Sequence, residues 1–217
     1  MLPTKLRGVI FDLDGTLADT LPLAISAFRR AIEPLAGRTL TDAEIIAQFG
    51  PSEEGVIRAL APDHYQAALA DYLRHYEALH GMAPSPFPDM RGLLAGLKAR
   101  GVRLGLVTGK GAKSTRLSLH RLGLEDMFEA VETGDPAGPR KAESIRRVLA
   151  GWELDPAQAV YVGDAPTDVT AAREAGVSAV GVAWAKTTDR DLLAAAKPDA
   201  LLTTVGELKD WLSSRVQ

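Results

Sequence analysis

The sequence predicts an α/β protein, a parallel sheet core covered by helices with an all-helical segment inserted near its start. Three observations lead there: short apolar runs recur along the chain, helical spacing separates the later ones, and one long stretch breaks that alternation. The runs are Gly8 to Phe11, Val102 to Val107, Ala130 to Thr133, Ala159 to Val162 and Ala179 to Ala183. Each is rich in β-branched or other apolar residues, as expected of a strand buried on both faces. Between the later runs, Met90 to Arg100, Ser114 to Leu122, Lys141 to Ala150 and Thr167 to Ala175 carry apolar residues at helical spacing. Strand, helix and strand in repetition make a parallel sheet with helices on both faces. Gly101, Gly123, Gly151 and Gly176 stand just past the last apolar turns, where a left-handed residue closes a helix.

The stretch from about Ala18 to Phe87 holds no convincing strand and reads as several helices, among them Leu21 to Leu35 and Pro62 to His80. Its exit, Ala83-Pro84-Ser85-Pro86-Phe87-Pro88, has three prolines in five residues, a stiff connector rather than a core segment. The expected organisation is a core of residues 1–17 and 88–217 with a helical domain of residues 18–87 inserted between them.

Composition narrows the function. With 217 residues, 46% hydrophobic and 24% charged, the chain can bury a sizeable core, and it contains no apolar run long enough to cross a bilayer. A net charge of -3 offers no basic face for nucleic acid. The absence of cysteine removes disulfides and thiolate metal sites, and His64, His75, His80 and His120 are too scattered for a histidine cluster. Met1 to Arg7 leads into Gly8-Val9-Ile10-Phe11 without a signal-peptide layout, so the expected location is cytoplasmic. No membrane or nucleic-acid partner is expected.

Four strand ends carry chemistry. In Phe11-Asp12-Leu13-Asp14-Gly15-Thr16, two carboxylates follow a buried strand at the position where open α/β sheets bind ligands. Their repulsion calls for a cation or a shared proton, although a turn at Asp14-Gly15 with Asp12 as a helix cap would use the same residues. After the second run, Thr108 supplies a hydroxyl and Gly109 a backbone that can approach an anion; a capping threonine fits equally well. Gly109-Lys110-Gly111 does not satisfy a Walker-type phosphate loop. Arg140 and Lys141 open a helix, where cations oppose the dipole, which points to an anionic partner. Gly163-Asp164-Ala165-Pro166-Thr167-Asp168 brings two further acids four residues apart, a spacing that a capped turn also produces.

Taken together, in this order and over nearly the whole chain, these four segments resemble the four motifs of the haloacid dehalogenase-like hydrolases. The helical insert resembles the mobile cap of their phosphoglycolate phosphatase-like branch. The resemblance implies a Rossmann-like parallel sheet core with an inserted all-helical cap domain. It implies that Asp12 is the nucleophile and Asp14 the general acid/base, and that Thr108, Gly109 and Lys141 bind phosphate. Asp12, Asp14 through its backbone carbonyl, and Asp164 would hold Mg2+, with Asp168 as the supporting second acid of the last motif. Many relatives place proline directly after the motif lysine. Here Ala142 and Glu143 follow Lys141, which leaves Arg140 as a possible sharer of its role. Lys110 and Trp184-Ala185-Lys186 also lie near strand ends and read at least as well as solvated or rim residues.

The activity so implied is magnesium-dependent hydrolysis of a small phosphate monoester through an aspartyl-phosphate on Asp12. Asp14 argues against a dehalogenase, which lacks that acid. The lack of lysine between Lys5 and Lys98 argues against a phosphonoacetaldehyde hydrolase, which needs one in its cap. A phosphosugar mutase and a non-catalytic phosphate-binding protein of the same fold stay as alternatives. The insert carries five arginines against eight acids between Thr20 and Phe87, which disfavours a large polyanion and favours a small phosphorylated metabolite, phosphoglycolate among the candidates. Phe49-Gly50-Pro51-Ser52 resembles the cap loop that reaches the leaving group. Gly50 would allow a close approach to substrate, and Ser52, Glu53 or a nearby arginine would read one polar group. Monomer and homodimer are both compatible with the sequence.

Overall fold

A computed structural model of the chain describes residues 5–216. Six strands, β1 (Gly8–Phe11), β2 (Arg103–Val107), β3 (Ala130–Glu132), β4 (Ala159–Gly163), β5 (Ser178–Val182) and β6 (Ala200–Leu202), form one sheet in the order β3-β2-β1-β4-β5-β6. Every pairing is parallel. The chain order therefore reverses at β1 and β4, the switch point at which doubly wound sheets open a crevice for ligands.

Between β1 and β2 run four helices, α1 (Leu21–Ala36), α2 (Asp42–Ile46), α3 (Glu53–Leu60) and α4 (Tyr65–Ala78), followed by α5 (Met90–Ala99). The remaining crossovers and the chain end supply α6 (Ala112–Leu122), α7 (Lys141–Trp152), α8 (Pro166–Ala175), α9 (Arg190–Ala195) and α10 (Val205–Ser213). Side chains alternate across the sheet with the period of two that strands impose. Val9 and Phe11 face one apolar layer with α5, α6 and α10, and Ile10 faces the other with α7, α8 and α9. The helices α1 to α4 enclose a third apolar cluster of their own, centred on Phe28, Ile57, Tyr72 and Tyr76. The two connections to this helical segment touch, with the Phe87 N–H donating to the Leu17 carbonyl at 2.9 Å.

The five expected strands are present, and β6 with α9 and α10 complete the sheet beyond them. One helix end differs from expectation. Gly151 lies inside α7, and the left-handed cap is Glu153, φ 54°. Burial of Trp152 accounts for the extra turn: its ring lies against Gly8 and Gly105, where a β-carbon would come within 2.8 and 3.0 Å of it. Arg103 stacks on the same ring and donates to the Trp152 carbonyl at 3.0 Å. Gly101, Gly123 and Gly176 do take the left-handed conformation, with φ of 74°, 59° and 82°.

Candidate active site

The site grows from the carboxyl ends of the central strands. After β1 the chain adds Asp12, whose N–H continues the ladder to the Val162 carbonyl of β4 at 2.9 Å. It then turns sharply through Gly15, φ 77°, with the Gly15 N–H donating to Ala18. After β4 comes Asp164, then an extended Ala165 and the helix start at Pro166, where a missing N–H has no consequence. Asp168 caps that helix by accepting from the Ala165 N–H at 3.0 Å, and it packs beneath Gly163, where a β-carbon would overlap its carboxylate.

These turns bring one oxygen each of Asp12, Asp164 and Asp168 within 4.8 Å of one another. Lys141, the first residue of α7, reaches in from the neighbouring crossover. Its ammonium donates to Asp12 at 2.9 Å and to Asp168 at 2.5 Å. The Tyr161 hydroxyl donates to the Val107 carbonyl at 2.8 Å and lies 3.4 Å from Asp168, so the Lys141 and Asp168 pair is fixed from beneath. Thr188 donates to Asp164 at 2.8 Å.

The electrostatics follow from crowding three acids around one lysine. Burial pushes the Asp12 carboxyl up to about 7, and the charges of Asp168 and Asp14 add to that against the opposing pull of Lys141. Burial also raises Asp164 well above the carboxylate range, with Asp12 and then Asp168 contributing. Lys141 is raised as well. Burial alone would lower it, but Asp12 and Asp168 raise it well above the usual lysine range, so it stays charged.

Thr108, buried at the end of β2, accepts the Lys110 N–H at 3.2 Å. Gly109 lies alongside Lys141, whose Cε is 4.0 Å from the position of a β-carbon there. Asp14 stands apart from the three clustered acids. It accepts from the Thr20 hydroxyl at 2.5 Å and pairs with the Lys110 ammonium at 3.2 Å.

The motif pattern of the sequence extends over most of the chain: the model of the haloacid dehalogenase-like hydrolase family matches residues 9–182. The chain belongs to that family. This haloacid dehalogenase-like hydrolase is 36% identical to a phosphoglycolate phosphatase of Synechococcus elongatus, over 94% of the chain and 95% of the relative. It is 30% identical to the pyrophosphatase PpaX of Bacillus pumilus, over 96% and 97%. Among solved structures, a haloacid dehalogenase-like family protein from Streptococcus pneumoniae superposes with a TM-score of 0.77 at 28% identity, over 95% of this chain and 98% of that one.

Of the residues singled out in the sequence, Asp12, Lys141, Asp164 and Asp168 of this hydrolase meet directly. Thr108 and Gly109 lie at the end of the adjacent strand. Arg140 turns away to pair with Asp135 and Glu143 on the surface. Gly50 is exposed, and a β-carbon there would meet nothing within 4 Å. The helical segment comes close to the core at Gly55, where a β-carbon would overlap the Pro136 carbonyl. Lys110, readable in the sequence as a solvated residue, is 6% exposed and faces both Asp14 and Glu53. Trp184 lies at the rim and donates from its indole to the Thr16 carbonyl at 3.1 Å. Thr20, Tyr161 and Thr188 carry no motif signal, and only their hydrogen bonds mark them out.

Proposed function

We propose that this hydrolase is a magnesium-dependent phosphatase, releasing phosphate from a small monoester through a covalent intermediate on Asp12. The observation that carries the reading is the division of the acids. Asp12 and Asp164 share a buried cluster at the switch point, whereas Asp14 stands beside it with separate partners.

The donor set fits magnesium. All the candidate ligands are oxygens, and Asp12 and Asp164 are raised by burial and by the acids beside them, a state that a bound divalent cation relieves. Gly15 supports the same conclusion, because a β-carbon there would overlap the Asp164 carboxylate and the turn leaves that acid room to face Asp12. Asp12, Asp164 and the Asp14 backbone carbonyl would hold the ion. When bound, it would offset charge on the phosphoryl oxygens and keep Asp12 ionised.

Asp12 is oriented by Lys141 and attacks phosphorus; an Asp12 oxygen to phosphorus bond forms as the ester oxygen to phosphorus bond breaks. Asp14 gives its proton to the departing alkoxide. Asp14 then accepts a proton from water as that water attacks the aspartyl-phosphate, which restores Asp12 and releases inorganic phosphate. Lys141, the Thr108 hydroxyl and the Gly109 backbone stabilise the charge on the transferring group.

Phosphoglycolate is the leading substrate, supported by the 36% identical Synechococcus relative. Inorganic pyrophosphate is the second reading, supported by the PpaX relative. The helical segment closes over the site as a cap, which favours a small substrate. A phosphate-release screen over phosphorylated metabolites and pyrophosphate, with and without magnesium, tests all of this. Magnesium-dependent release from phosphoglycolate is expected. Turnover without magnesium, or transfer of phosphate within a sugar in place of release, would overturn the reading.

A further inference from the structure

The contact between the cap and the core contains one buried carboxylate, beside the Tyr76 and His80 bonds to Ser118. Glu53, the first residue of α3, is 5% exposed and points out of the cap into the first turn of α6. That helix has no capping side chain of its own, since its N-cap is Gly111. Glu53 takes the place of one: it accepts from the Gly111 N–H and the Ser114 hydroxyl, with the Tyr72 hydroxyl at 3.4 Å. A cap residue thus satisfies one orphan backbone donor of a core helix and sets a negative charge at the positive end of its dipole.

Beside Glu53 lies Lys110, whose side chain is 3% exposed. Its ammonium is 3.9 Å from Glu53, 3.2 Å from Asp14 and 4.6 Å from the centre of the Tyr76 ring. A buried ammonium needs such neighbours, and two of the three, Glu53 and Tyr76, belong to the cap. The cap thus supplies two of the three groups that enclose Lys110 beside Asp14. The seam also depends on a glycine. A β-carbon on Gly111 would fall 2.7 Å from a Glu53 oxygen and 2.5 Å from a Glu54 oxygen.

We propose that Glu53 is a positioning residue that couples cap docking to the placement of the general acid, acting on Asp14 through Lys110. Docking of Glu53 on α6 and fixing of Asp14 are then one event, and the proton-donating step is confined to the closed enzyme. The proposal rests on the phosphatase reading and adds a residue that the sequence motifs do not include.

The test compares two esters, the best alkyl monophosphate from the screen and p-nitrophenyl phosphate, whose leaving group departs with little need of a proton. Single-turnover release of each leaving group is measured with magnesium present. In Glu53→Gln the alkyl-to-aryl rate ratio should fall about tenfold or more, within the range that general acid catalysis supplies. Lys110→Met should lower it similarly, and the double variant should add little, because both act through one path. Gly111→Ala, whose φ of -67° suits alanine, should lower the ratio while leaving every charge in place. It also stands in for Glu53→Gln if that variant folds poorly. An unchanged ratio in Glu53→Gln and Gly111→Ala, or independent effects of Glu53 and Lys110, would overturn the proposal and leave the phosphatase reading intact. Wild-type enzyme that releases phosphate from no ester would overturn both.

Discussion

Gly15 and Asp164 come from opposite sides of the switch point and leave no room for a side chain between them; a β-carbon on Gly15 would lie within the Asp164 carboxylate. Gly15 also has φ 77°, which is unfavourable by about 1 to 2 kcal/mol for a residue with a side chain. Gly15→Ala is therefore expected to lose magnesium affinity by more than its loss of stability explains. Calorimetric titration with magnesium beside a urea melt checks this. A stability loss of a few kcal/mol with unchanged magnesium binding would mean that Gly15 serves the turn alone.

Asp12→Asn keeps the shape of the side chain and removes the proposed attacking group. Turnover should fall by about a thousandfold or more, with the protein still folded. Asp14→Asn should still allow phosphorylation by an activated aryl ester and then stall, since water is no longer deprotonated. Rapid quenching would reveal the accumulated acyl phosphate, and full turnover in either variant would contradict the assigned roles.

Metal and pH are linked through the acid cluster. Asp12 is raised from 3.8 to about 7 in the metal-free fold, so between those values the folded chain holds a proton that the unfolded chain has released. For an acid with a raised pKa this means that stability of the metal-free protein falls as pH rises through that window. Magnesium must displace the proton, so its effect on melting temperature should be larger near pH 8 than near pH 5.5. Thermal melts with magnesium and with chelator at both pH values test the sign. Calcium should restore activity poorly after chelation, its longer and looser coordination misplacing Asp12.

Trp152→Ala should destabilise the protein by about 3 to 5 kcal/mol, the range for large aromatic truncations in a core. The ring fills the space over Gly8 and Gly105 on two central strands. Chemical denaturation measures the loss. Kinetic constants per folded molecule should change far less, because the ring lies over Gly8, the first residue of β1, at the opposite end of that strand from Asp12.

The central strands were legible because a strand buried on both faces is apolar throughout, and Gly8 to Phe11 and Ala159 to Val162 have no other reading. β6 escaped because Ala200–Leu202 is a three-residue edge strand with no β-branched residue, whereas the equally short β3 carries Val131 and runs into Thr133. The end of α7 was misjudged because Gly151 resembles a cap locally, while the burial of Trp152 that extends the helix is a tertiary effect. In the site, the residues brought together by strand ends could be listed from motif spacing. The burial of Lys110 could not, since its environment is made by residues on other elements. Glu53, which faces Lys110, lies 58 positions before its partner Gly111, and the two meet only in the folded chain.

The position of β1 at the centre of the sheet has a consequence for how the protein is made. Among the six described strands it comes first in chain order, yet its partners begin at Arg103 and Ala159. The helical segment has its own apolar cluster and can condense while β1 waits. A nascent chain that ends before Ala159 contains Asp12, Asp14, Thr108 and Lys141 but lacks β4 and Asp164. Such a chain is expected to bind no magnesium and to leave phosphate esters untouched, which titration of a fragment truncated at Gln158 would check. Unfinished copies of this hydrolase would then be harmless to the metabolite pool, with activity arriving only after most of the chain has been translated.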